Sequence, residues 1–214
     1  LCPAKTRQMV QSRQKCEGPL TVIYPESVSD AQAALIRLLQ LAHAGERAAA
    51  LAYRGHAAAW WARRERAEIA QIEAEELQHR NAVGEMLLQL NARPDPKQEK
   101  IMWGVGSLIG LLCHFGGWLI PMYGAGKLES GNIWEYEHAA RLAQIAGHPA
   151  LVPALLEMAE VEWEHEAYFR SQVKSHWLGK TLPLWKIPAA KAQIQTDFAE
   201  FVQTHSNVKE TSHA

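Results

Sequence analysis

The sequence predicts an all-α protein: a four-helix bundle built from two helical hairpins, with an additional hydrophobic crossover helix and a C-terminal helix. Three observations carry this reading. Strand signals are almost absent, while Ala, Leu, Glu, Gln and Arg dominate. Apolar residues recur at steps of three and four through several long stretches, the spacing of one helical face. Those stripes are interrupted by acidic side chains, and the interruptions repeat at similar distances in the two halves of the chain.

Residues 1–26 read as an irregular arm; they lack the apolar core of a signal peptide, although the chain begins with Leu. After Pro25 comes SVSD, in which Ser27, Ser29 or Asp30 can cap a helix over about 29–59. Further helices are expected over about 63–91, 98–119, 121–146 and 150–176, with a shorter one over about 189–204. NARPDP (91–96), AGHPA (146–150) and LGKTLPLWKIP (178–188) mark the loops. The bundle should therefore occupy 27–176, followed by an extension over 177–214 with no readable chemistry beyond Pro188.

The 214 residues, 48% hydrophobic and 21% charged, suit one folded core. A net charge of -1 with no basic block argues against nucleic acid as a partner. Cys2, Cys16 and Cys113 form no thiolate cluster, and their odd number opposes a closed disulfide framework, which favours a reducing compartment. Cys113 reads as a small buried hydrophobe.

Residues 101–126 contain no Asp, Glu, Lys or Arg. The stretch is long enough to span a bilayer. Its glycines and Pro121 favour instead a kinked pair of helices, buried in the bundle or dipping into one leaflet, with Trp103, Trp118 and Trp134 flanking it at a membrane surface.

The interrupted stripes are explicit. One face of the first helix reads Leu35, Leu39, Ala42, Glu46, Ala49, Tyr53; the second reads Ile69, Ile72, Glu76, His79, Val83, Met86. The fourth gives Met122, Gly126, Glu129, Ile133, Tyr136, and the fifth gives Leu155, Met158, Glu162, His165, Phe169. Four carboxylates converging in a bundle interior would each cost several kcal/mol unless compensated. Two divalent metals balance them, and the pairs Glu76/His79 and Glu162/His165, at i and i+3, can each serve one ion. A mixed carboxylate and imidazole set suits iron or manganese better than calcium.

A single Glu-x-x-His is common by chance. Here each of two is preceded by another stripe-breaking Glu, 30 residues before Glu76 and 33 before Glu162, so the chain is an internal repeat of hairpins. Paired ligands at one level put the turns near Trp60 and Trp61 and near residue 145. The first helix must then run through Gly55, which costs about 1 kcal/mol relative to Ala. His43 reads as a packing neighbour of the site, and Glu65, Glu68, Glu73 and Glu75 as a solvated face.

HAGE at 43–46, EELQH at 75–79, the uncharged stretch leading to Glu129, and EVEWEH at 160–165 resemble the demethoxyubiquinone hydroxylase family, ferritin-like di-iron monooxygenases of late ubiquinone biosynthesis. The resemblance covers about 30–176. It implies Glu46, Glu76, His79, Glu129, Glu162 and His165 as ligands of two iron ions, O2 as co-substrate, and Tyr136 as a catalytic tyrosine beside the irons. The sequence departs from the family's pattern at Ala42, Ala74 and Glu135, where an Asp, an acidic residue and a His are usual; Glu73 or Glu160 would substitute for the missing carboxylates that orient ligating histidines.

The expected function is O2-dependent hydroxylation of a quinone or similar apolar ring, by a protein on the cytoplasmic face of a membrane or free in the cytoplasm. A homodimer is one assembly such a bundle allows, and the sequence names no electron donor. The alternatives are iron or peroxide handling, as in ferritins and rubrerythrins, hydroxylation of another apolar substrate, or a metal-free helical scaffold.

Overall fold

The computed structural model describes residues 24–25 and 27–211, with side chains through His205. Helix α1 (Val28–Ala58) leads through a 3-10 turn (Trp60–Ala62) to α2 (Arg66–Gln89); α3 (Pro96–Leu112) and α4 (Leu119–Ile145) follow, then a second 3-10 turn (Pro149–Leu151), α5 (Val152–Ser175) and α6 (Lys191–Thr211). The expected arm over 1–26 lies outside the described residues save Tyr24 and Pro25.

Local chemistry accounts for the helix ends. Ser27 is the N-cap of α1, its hydroxyl accepting from the Asp30 N–H. Asp95 caps α3 by accepting from the Lys97 N–H, with Pro96 at the first helical position. At the end of α4, Gly147 adopts φ +79 and His148 N–H donates to the Ala143 carbonyl, a Schellman closure. Two boundaries differ from expectation. α3 stops at Leu112 rather than near 119, because the chain turns over 113–118 and Gly117 takes φ +66. α6 runs on to Thr211 rather than 204, since Ser206 and Asn207 are weak helix residues but not breakers.

Specific contacts fix the directions of the helices. His43 lies against Gly84 while Arg54 bonds Glu73, so α1 and α2 are antiparallel. Asn132 reaches Glu162 and Gly126 sits beside Phe169, so α4 and α5 are antiparallel as well. Between the hairpins, α3 runs parallel to α1: Glu99 meets His43, and Gly110 meets Gly55. The architecture is thus an all-α, ferritin-like bundle of α1, α2, α4 and α5, in which α3 is the crossover that carries the chain along the outside of α1 to the end where α1 finishes.

Two apolar clusters fill the bundle. One gathers Leu35, Leu39, Val83, Leu87, Tyr136 and Leu155 toward one end; the other gathers Tyr53, Ile69, Ile72, Met122, Phe169 and Val173 toward the opposite end. The layer between them holds the acidic residues that break the stripes. α6 packs on α4 and α5, placing Ile194 in the first cluster. The segment before it is strapped to α5 by Arg170, which bonds Glu166 and the Lys186 carbonyl, and by Trp163, which bonds the Ala189 carbonyl at 2.8 Å.

No helix of the described residues is long and apolar enough to cross a membrane. The uncharged segment is the kinked pair that its glycines and proline suggest, broken between α3 and α4. Ile101, Leu108, Leu111 and Phe115 stand exposed along its outer side, and Trp103 is exposed on a different face of the helix.

Gly55, the awkward point of the sequence reading, has a physical explanation. A Cβ on Gly55 would lie 2.4 Å from the Gly110 Cα, and one on Gly106 would lie 2.4 Å from the Ala48 carbonyl oxygen. Helix propensity is given up so that α1 and α3 touch backbone to backbone. Gly55→Ala should therefore destabilise by about 1–3 kcal/mol through forced separation of the helices, whereas Gly104→Ala, where a Cβ meets nothing within 4 Å, should be neutral or stabilising by up to about 1 kcal/mol. Urea midpoints of the two variants test this; equal effects would contradict the close approach.

Candidate metal centre

Each of the four bundle helices brings its stripe-breaking residues to the same level. Glu46 from α1, Glu76 and His79 from α2, Glu129 from α4, and Glu162 and His165 from α5 are all between 0% and 7% exposed. Their ligand atoms form two overlapping groups, each with all four atoms within 4.8 Å of one another: Glu46, Glu76, His79 and Glu162, and Glu76, Glu129, Glu162 and His165. The structure therefore brings all six residues together. Glu76 and Glu162 are common to both groups, so two ions would share them, with Glu46 and His79 on one side and Glu129 and His165 on the other.

The donor set fits such a pair. Glu46 Oε2, both carboxylate oxygens of Glu76, and His165 Nδ1 are buried without a hydrogen-bond partner. Buried lone pairs without a donor are costly, and divalent cations at the two positions would satisfy all of these atoms. His165 Nδ1 lies 3.3 Å from Glu76 Oε1 without hydrogen-bond geometry, while its Nε2 bonds Glu75 Oε2 at 2.7 Å. Glu75 thus fixes the ring with Nδ1 toward the carboxylate layer.

Charge in the layer is unbalanced. Burial, and then the neighbouring Glu76, pushes the Glu46 carboxyl well above the ordinary carboxylate range; burial, and then Glu162, does the same to Glu129. Burial works against ionised Glu162 too, but the neighbouring imidazole of His165 and the hydrogen-bonded one of His79 hold it below that range. Burial also opposes charge on His165, yet Glu162 and Glu76 hold it at about 11. Divalent cations bound in this layer would displace protons from the raised carboxyls.

Several supporting residues differ from the sequence reading. Glu75 does not belong to a solvated face, because it holds His165. Neither expected substitute reaches a site histidine: Glu73 accepts from Arg54 at 2.8 Å, and Glu160 accepts from Gln195 at 2.7 Å. Ala74 is exposed, so a side chain there points to solvent. Asn132 had gone unremarked; its amide donates to Glu129 at 2.9 Å and reaches Glu162 at 3.4 Å. Its position three residues after Glu129, on the same helical face, was the available signal. Tyr136 donates to Glu46, and Tyr53, read only as part of an apolar stripe, donates to Glu129. His43 is a packing neighbour, bonded to Glu99 at 2.7 Å, and Glu99 also receives Arg47 and Arg80.

A cavity of about 710 Å³ lies between α1, α3 and α4 and reaches this layer. Its polar wall includes Glu46, Glu129, Tyr53 and Tyr136; Val105, Ile109 and Leu112 of α3 form part of the apolar side. His79 and His165 do not line it. Ala42 and Glu135, two of the positions that depart from the family pattern, do. Burial, and then Glu162, raises the Glu135 carboxyl above the ordinary range. Cys113, also on the wall, is buried as expected and its thiol is pushed up to about 11.

His56 lines the same cavity at 3% exposure, and burial pushes its imidazole down to about 4 from 6.5. The unfolded chain takes up this proton first on acidification, so the neutral ring's contribution is present above pH 6.5 and is lost progressively as pH falls toward 4. The loss is on the order of 3 kcal/mol. His56→Gln should flatten that part of the pH-stability curve relative to the wild type, as measured by urea unfolding across the window. Parallel curves would contradict a buried neutral imidazole.

Residues 33–118 match the family described as ubiquinone biosynthesis protein COQ7, which bears out the resemblance to the demethoxyubiquinone hydroxylase family over that part of the chain. The match takes in Glu46, Glu76, His79 and the whole of α3. No curated protein and no solved structure matches the chain.

Proposed function

We propose, from that family match and the convergence of six buried ligand residues on an apolar cavity, that the chain is an O2-dependent di-iron hydroxylase acting on a quinone ring of ubiquinone biosynthesis. The observation that carries the reading is the junction of layer and cavity: partnerless carboxylate and imidazole atoms on one side, a greasy chamber large enough for a substituted ring on the other.

Glu46, Glu76, His79, Glu129, Glu162 and His165 would hold two iron ions, which when bound would supply electrons to reduce the co-substrate O2. The chain's own residues do the rest. Val105, Ile109 and Leu112 present apolar surface to a ring and exclude water from its reacting edge. Tyr136 and Tyr53 keep phenolic O–H groups at the boundary between ring and carboxylates. Burial, with Glu46 and Glu162 beside it, pushes the Tyr136 phenol well above its ordinary range, so it stays protonated and can donate. Glu75 holds the His165 ring in place.

The exposed apolar row of α3 faces outward from the helix that walls the cavity. Such a row suits the surface of a membrane in which a long-tailed quinone dissolves, so that substrate passes from lipid to cavity without crossing water. The sequence carries no nucleotide-binding fingerprint, and reducing equivalents would arrive from a separate reductase, from NADH directly or through the quinone itself.

Incubation of iron-loaded, reduced protein with demethoxyubiquinone and O2, followed by mass spectrometry of the quinone, tests the proposal. A product one oxygen heavier is expected, and Glu162→Gln should abolish it. Iron oxidation with no oxygenated quinone would contradict the hydroxylase and transfer the bundle to iron or peroxide handling.

A further inference from the structure

The internal repeat extends beyond the ligands. Tyr53 follows Glu46 by seven residues, and Tyr136 follows Glu129 by the same seven. Two helical turns separate the members of each pair, which places both on one face. Because α1 and α4 run antiparallel, each tyrosine lies level with the glutamate of the other helix. The hydrogen bonds are accordingly crossed: Tyr136 of α4 donates to Glu46 of α1, and Tyr53 of α1 donates to Glu129 of α4.

We infer that Tyr53 is the counterpart of Tyr136, a positioning residue whose hydroxyl fixes the Glu129 carboxylate at the cavity wall as Tyr136 fixes Glu46. The inference rests on the metal-centre reading above and adds to it a residue and a symmetry. Both tyrosines line the cavity between α1, α3 and α4, as do both glutamates they hold. Each bond spans the two hairpins, so the outer carboxylate of one hairpin is set by the other. The two halves are not identical: Asn132 supports the second oxygen of Glu129, whereas the equivalent position after Glu46 is Ala49, which has no donor.

The Tyr53 ring has an independent packing role, stacked on Phe169 with centroids 5.6 Å apart. Tyr53→Phe keeps that ring and removes only the donor, which separates positioning from packing.

Anaerobic titration with Co2+, whose absorption reports ligand geometry, is the test. The wild type should take up two ions per chain. Tyr53→Phe should weaken one of them by about tenfold or more, within the range for partners that orient metal ligands, and change its absorption bands while leaving helical circular dichroism and the metal-free thermal midpoint near those of the wild type. In a Glu129→Gln background Tyr53→Phe should have no further effect on Co2+ affinity; in a Glu46→Gln background it should keep its full effect. Tyr136→Phe should show the reverse dependence.

A Tyr53→Phe chain that binds two Co2+ ions with wild-type affinity and spectrum would overturn the inference alone. So would an effect that persists undiminished beside Glu129→Gln, or a loss of metal-free stability without loss of affinity. A wild-type chain that takes up no Co2+ would overturn the metal centre and this inference with it.

Discussion

Four carboxylates are enclosed in one layer of a helical bundle, and their mutual repulsion is the constraint around which the rest of the molecule is arranged. Nothing in a purely structural core requires Glu46, Glu76, Glu129 and Glu162 to be this buried. The surrounding chain supplies every form of partial compensation open to it: two imidazoles inside the layer, two phenols crossing between hairpins, the Asn132 amide, and Glu75 behind His165. Even so, buried oxygen and nitrogen atoms are left without partners. Divalent cations held by this layer would complete the balance.

The crossover helix joins this interior to the exterior. Backbone contact through Gly55, Gly106 and Gly110 seats α3 against α1, and the space remaining between α3, α1 and α4 is the cavity. One side of α3 therefore walls a chamber that ends on carboxylates, while Leu108 and Leu111 meet solvent on the other. The same small residues that lower helix propensity are what allow a lined chamber beside a charged layer.

Much of this was legible because helical periodicity is a strong signal and an acid in an apolar stripe is a conspicuous exception to it. Glu46, Glu76, Glu129 and Glu162 could be found that way, and the Glu-x-x-His spacing added His79 and His165. Both turns fell where matched ligand levels require them, at Trp60–Ala62 and Pro149–Leu151. What escaped depended on contacts between helices. Glu75 sits in a run of glutamates that includes the exposed Glu68, and only the approach of α5 draws it to His165. Tyr53 looked like an ordinary core aromatic, since its role follows from the antiparallel pairing of α1 with α4. The glycine contacts of α3 likewise arise from packing, which propensity does not encode. The cavity is the space those contacts leave, and no run of residues spells it out.

The central claim is that these six residues would make one centre for two metal ions. Mössbauer spectroscopy of the protein loaded anaerobically with 57Fe and then oxidised by air addresses it most directly. The account predicts two irons per chain with the diamagnetic ground state of a coupled ferric pair. Iron bound as isolated paramagnetic ferric ions, or a single iron per chain, would contradict it.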